Sequence, residues 1–158
     1  MKGTKKQAFT LIEVLLVVAI IGTLLALLVP GYTNLLEKSR INQTIADIVR
    51  ISRELDDFLV DNGNLPETLT DLIQESKPVN LIDPWGNPYE YLIIIGKKKS
   101  EIQGKWRKDR FMVPINSDYD LYSMGKDKTS TAPLTARASH DDIVRASDGD
   151  FIGLAHKF

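Results

Sequence analysis

The 158-residue sequence contains no cysteine. That excludes a disulfide framework, a thiolate zinc centre and a cysteine nucleophile. Histidine is scarce, with only His140 and His156. There is no serine nucleophile elbow and no phosphate-binding glycine loop, so no nucleophile-and-base set stands out and no enzymatic activity is expected. An excess of either charge is missing too: the formal net charge is −1, which argues against a nucleic-acid partner found through bulk charge. No internal repeat is visible, and the length fits one modest domain plus an appendage.

What is present is unevenly spread. Lys2, Lys5 and Lys6 precede an apolar run from Phe9 to Val29. A helix crosses a bilayer core with roughly 20 such residues, and the lysines hold its amino end in the cytoplasm by the positive-inside rule. A secretory signal peptide needs a small-x-small cleavage site, but Ala26 is followed by Leu27-Leu28-Val29-Pro30. A plain membrane anchor accounts for the length and the lysines. It leaves Glu13 unexplained, because a central acid costs roughly 2.5–3.5 kcal/mol on insertion scales.

The stretch Phe9-Thr10-Leu11-Ile12-Glu13 resembles the amino-terminal motif of type IV pilins and of the pseudopilins of type II secretion. The resemblance implies a leader of residues 1–8, removed by a prepilin peptidase between Ala8 and Phe9, with N-methylation of Phe9. Ala8 stands where the family usually has glycine. The same resemblance implies that Glu13 meets the Phe9 ammonium of a neighbouring subunit in a filament. Such a pair at ~4 Å gains about 4 kcal/mol at an effective dielectric of 20, before desolvation. The plainer role for Glu13 is to complement the positive end of its own helix, worth about 0.3–1 kcal/mol.

Beyond the apolar run, Ile41, Ile45, Ile48, Leu55 and Leu59 continue one helical stripe, with Ser52 as its polar gap. Gly63 reads as the helix stop. Gly22 and Pro30 interrupt the helical pattern; a proline in a helix interior costs about 3 kcal/mol. The residues alone predict a kink, whereas the resemblance implies local melting between Gly22 and Pro30 in the assembled filament. In "NLPETLTDLIQES", Pro66 marks a helix start, with Leu69, Leu72 and Ile73 on one face.

Two further stretches resemble signatures of the major pseudopilin of type II secretion. One is "DPWGNPYEYL" (83–92), turns followed by a period-two strand through Tyr89, Tyr91 and Ile93. The other is "SDYDLYSMGKD" (117–127), a strand entering a glycine turn. Between them lies a basic stretch, residues 96–116, longer than the family pattern. Its charges predict a solvated hairpin tip, or else a docking patch for an acidic partner. Trp106 within it suits stacking on a nucleic-acid base, but the run is isolated on a near-neutral chain and no nucleic acid is expected.

Asp127, Asp141 and Asp142 gather near Met124-Gly125 without the spacing of an EF-hand loop. The resemblance implies calcium bound by Asp127, Asp141 and Asp142 with the Met124 carbonyl; Asp148 and Asp150 are reserve ligands. Two departures stand out: Lys128 where the family often has glycine, and a stretch from Thr129 to His140 longer than usual.

The expected fold is α+β, a long amino-terminal helix packed on a small antiparallel sheet with a carboxy-terminal loop. Residues 1–8 are the leader, 9–30 the membrane and filament-core segment, and 31–158 a periplasmic domain that includes the second half of the helix. The resemblance implies a pseudopilus subunit anchored in the bacterial inner membrane before assembly. Its partners are then membrane lipid, the prepilin peptidase, the assembly platform, minor pseudopilins and other copies of itself. The alternatives are a surface pilin for adhesion, motility or DNA uptake, and a membrane-anchored binding domain that never polymerises. Mass spectrometry of membrane-extracted protein should find a chain beginning at Phe9 with one added methyl group; an intact leader in cells carrying the peptidase removes both filament readings.

Overall fold

The computed structural model describes residues 10–75 and 80–158. The chain divides between Ser39 and Arg40 into two compact units. Helix α1 (Leu11–Asn62) runs through Gly22 and Pro30 without a break. In its amino-terminal part, every large apolar side chain from Leu11 to Val29 is at least half exposed. The hydroxyls of this part bond within the helix: Thr23 Oγ1 donates to the Ile20 carbonyl (2.8 Å) and Thr33 Oγ1 to that of Pro30 (3.0 Å).

From Arg40 onward the helix has a buried stripe of Thr44, Ile48, Ile51, Ser52 and Leu55. Full burial of Ile48, Ile51 and Leu55 contributes about 1.5–3 kcal/mol for each side chain. Ser52, the polar gap, is buried with the stripe. The helix stops where predicted: Gly63 has φ +75° and its N–H donates to the Leu59 carbonyl at 2.9 Å. Helix α2 (Asp71–Glu75) begins later than Pro66. Thr68 caps it instead, its N–H and Oγ1 both donating to Asp71 Oδ2 at 2.9 Å. Leu69 and Leu72 are buried but Ile73 is exposed, so the expected three-residue face has two members.

Strands β1 (Glu90–Ile93), β2 (Tyr119–Ser123), β3 (Ile143–Ala146) and β4 (Phe151–Leu154) form one antiparallel sheet in that order. Short helix α3 (Lys99–Ile102) lies between β1 and β2. Period-two alternation sorts side chains to two faces. Tyr119, Leu121 and Ile143 pack with Ile48, Ile51 and Leu55 of α1. Val144 and Ala146 pack on the other face with Ile115, Leu134 and Ala155. Both faces are therefore covered, and the second cover includes residues of the basic stretch. Trp106, Arg107, Ile102 and Ile115 are buried. The solvated reading holds for residues 96–101, 103–105 and 110–113, which include Lys97, Lys98, Lys99 and Lys105 and are exposed, with Phe111 at 99%. It fails at the buried positions.

The two internal signatures lock to one another. Asp83 Oδ1 accepts from the N–H groups of Trp85 (3.0 Å) and Asn87 (2.8 Å), closing the first turn. Its Oδ2 accepts from Ser123 Oγ at the end of β2 (2.6 Å). Asn87 Nδ2 donates to the Gly125 carbonyl at 3.2 Å, and the Gly125 N–H donates to Ser123 Oγ at 3.1 Å. Gly125 has φ +66°, and a Cβ there falls 2.3 Å from the Asp141 carbonyl oxygen. Gly125→Ala is expected to cost about 2–4 kcal/mol, from a left-handed backbone plus overpacking. Gly63→Ala, with open space around it, is expected to cost only about 1–2 kcal/mol. Urea unfolding of the two variants checks the contrast.

Candidate functional site

Two loci carry the predicted site residues. At the first, Glu13 occupies the opening turn of α1. Its Oε2 accepts from the Thr10 N–H and from Thr10 Oγ1, each at 2.8 Å, while the Glu13 N–H donates to Thr10 Oγ1 at 3.3 Å. This reciprocal pair is a capping box, with threonine at the cap and glutamate three residues on. The Thr-x-x-Glu spacing of this cap lies inside the wider motif from Phe9 to Glu13. Ala8 and Phe9, the expected cleavage residues, lie outside the described residues. Gly22 and Pro30 are helical in this single chain; the expected melting concerns the assembled filament.

The second locus is the loop after β2. The four expected calcium ligands lie in it, but the three aspartates do not gather into one cluster. Asp127 Oδ1 accepts from its own loop, from the Thr129 N–H (2.8 Å) and Oγ1 (2.9 Å). Asp141 Oδ2 accepts from the N–H groups of Lys126 (2.9 Å) and Asp127 (3.0 Å), bracing the turn around Gly125. Asp142 is fully buried, and its Oδ2 pairs with the Arg107 guanidinium. Ser130 Oγ donates to the same oxygen at 2.6 Å. Asp142 Oδ1 and Arg107 Nε are buried without hydrogen-bond partners. Among the described residues no three acids or histidines gather to hold a metal, and the donor set as folded does not fit calcium.

Arg107 is the site residue that the sequence concealed. Its Nη1 donates to Ser130 Oγ (2.5 Å) and to the Thr131 carbonyl (2.7 Å), and its guanidinium lies 4.3 Å from the centre of the Tyr122 ring. The Arg107 N–H donates to Asp120 Oδ2 at 2.6 Å, and the Arg107 carbonyl accepts from Ile115 at 3.1 Å. Breaking such a buried pair from one side costs about 3–5 kcal/mol, because the remaining charge is stranded. Trp106, set beside it in a run of lysines and arginines, was the one available hint. It is buried, which removes the base-stacking role.

Comparison with known proteins follows this division. The "Prokaryotic N-terminal methylation motif" family matches residues 3–29, and "Type II secretion system (T2SS), protein G" matches residues 32–139. The chain belongs to the type II secretion protein G family. Among its relatives is the type II secretion system core protein G of Pseudomonas aeruginosa, 31% identical over 80% of this chain and 88% of the relative. The proteins of the same name from Klebsiella pneumoniae and Vibrio cholerae are 27% and 36% identical. The first alignment covers 88% of this chain and 93% of the relative; the second covers 58% and 75%. No solved structure matches.

In this protein G family member, the sheet face under Arg107 also carries Asp120, which is 1% exposed. Its second oxygen, Oδ1, accepts from Asn116 Nδ2 at 2.9 Å. Burial pushes the carboxyl up to about 6, against the opposing pull of the Arg107 N–H and Asn116. The folded chain therefore holds this proton more tightly than the unfolded chain, whose aspartates titrate near pH ~3.9. Stability from the protonated form is present below about pH 4 and is lost as pH rises through about 6. Asp120→Asn should remove this slope, so that stability relative to wild type improves between about pH 4 and 7 by up to roughly 3 kcal/mol. Urea unfolding of the full chain in detergent across that range measures it; parallel profiles for the two proteins contradict the assignment.

Proposed function

We propose that this chain is the building subunit of a type II secretion pseudopilus, a periplasmic rod whose growth pushes folded proteins through an outer-membrane channel. The observation that carries the reading is the union of a protein G match over residues 32–139 with an apolar helix whose large side chains are exposed from Leu11 to Val29. That surface requires lipid or other copies of the same helix. The helix is long and apolar enough to cross a membrane, which suits an inner-membrane anchor with the carboxy-terminal domain in the periplasm.

The chain's own chemistry supplies the step from membrane to filament. Cleavage between Ala8 and Phe9 creates an ammonium group about one helical turn from Glu13. In the single chain, Glu13 is held by the Thr10 cap. In the filament it gains the Phe9 ammonium of a neighbour, so the acid favours one docking register over free diffusion. Loss of helicity between Gly22 and Pro30 on packing is part of the same proposal, since the proline already removes one helical hydrogen bond. The prepilin peptidase, the assembly platform, minor pseudopilins and other copies of this chain are the implied partners. The role is structural, with no catalytic residues.

Glu13→Val tests the reading. The variant is expected to be cleaved and membrane-inserted yet to assemble poorly, with secretion reduced in parallel, and Glu13→Asp to fall between. Normal filament yield from Glu13→Val means that the acid serves only its own helix.

A further inference from the structure

The structure brings residues 96–116 and residues 129–140 against each other. The Lys108 N–H donates to the Ala132 carbonyl (3.0 Å) and the Leu134 N–H to the Lys108 carbonyl (2.9 Å). The second stretch is stapled internally as well: Ser139 Oγ accepts from the Thr131 N–H (3.1 Å) and donates to the Thr131 carbonyl (2.8 Å). At the centre of this junction lies the Arg107 guanidinium, which pairs with Asp142.

We propose that the Arg107 guanidinium is the resident cation of the carboxy-terminal loop, tying residues 129–142 to the sheet without a divalent metal. Three observations converge on it. Arg107 is 2% exposed and Asp142 0%, so the pair is neutral and sealed from water. The guanidinium reaches a carboxylate, a hydroxyl and a backbone carbonyl (Asp142, Ser130 and Thr131), the oxygen classes a hard cation takes. The remaining acids are occupied: Asp127 and Asp141 accept N–H groups of their own loop. A calcium ion using Asp142 has to displace the guanidinium, and an arginine cannot deprotonate to make room. The counter-charge of the Asp142 carboxylate thus comes from residue 107. The inference does not depend on filament assembly and stands or falls separately from it.

The test uses the full-length chain in detergent, with melting followed by tryptophan fluorescence in calcium chloride or in chelator. A site filled at 100 times its Kd raises melting by roughly 5–15 °C. Wild type is expected to melt at the same temperature in both conditions and, after dialysis, to retain well under one calcium per chain. A calcium-dependent rise of that size, or stoichiometric retained calcium, overturns the proposal. Arg107→Gln strands the buried carboxylate and should lower melting by roughly 10 °C or more, with earlier proteolysis in residues 126–141. Arg107→Met combined with Asp142→Leu removes both charges and should recover more than half of that loss. A double variant that melts as low as Arg107→Gln also overturns it, and the calcium comparison on wild type decides the matter even if Arg107→Gln does not fold.

Discussion

Asp142 sits at the entry to β3 with no exposure to solvent, and a carboxylate in that position persists only against an opposite charge and donated hydrogen bonds. Much of the carboxy-terminal unit follows from meeting that demand. Arg107 has to reach the second face of the sheet, so the chain between β1 and β2 cannot loop freely into solvent. It is anchored by Asp120 at the Arg107 N–H and by Ile115 at its carbonyl. Trp106 and Ile102 are carried inside with it. The result is a sheet with two apolar covers, α1 on one face and a segment rich in basic residues on the other.

The family signatures acquire a physical meaning in the same frame. Asp83 closes its own turn and also receives Ser123 from the end of β2. Asn87 holds the Gly125 carbonyl, and the absence of a side chain at Gly125 lets Asp141 approach. Asp141 then braces the Lys126 and Asp127 N–H groups, immediately before Asp142 meets Arg107. These contacts link residues 83, 87, 123 and 125 through buried hydrogen bonds and continue to Asp141 through a close approach and exposed ones. Each polar group is expensive to bury alone and inexpensive when paired, so the network specifies one arrangement of the loops.

Helix α1 serves two solvents along one run of residues. From Leu11 to Val29 it is apolar all round, which a water-facing surface does not tolerate. From Arg40 it is amphipathic, with Ile48, Ile51 and Leu55 buried and its arginines and acids on other faces. Glu13 is the single acid of the apolar part, and the capping box satisfies its carboxylate locally while leaving it near the end of the helix. A polar group so placed is held at modest cost in a lone chain.

The sequence by itself determined the elements with local causes: the apolar run and its acid, the long helix and its stop at Gly63, and the strand entering the Gly125 turn. Periodicity, glycine φ and motif spacing act within a few residues, so each is written in consecutive letters. It placed the α2 start too early, because proline marks a permissible helix opening while the Thr68–Asp71 cap decides the actual one. Its solvated reading of residues 96–116 holds for Lys97, Lys98, Lys99 and Lys105 but not for Trp106 and Arg107, because a run of lysines and arginines looks the same wherever it folds. Only the tertiary structure decided that Arg107 turns inward, 35 residues from the Asp142 it neutralises. That choice is made by burial and charge compensation between distant segments, which no window of neighbouring residues records.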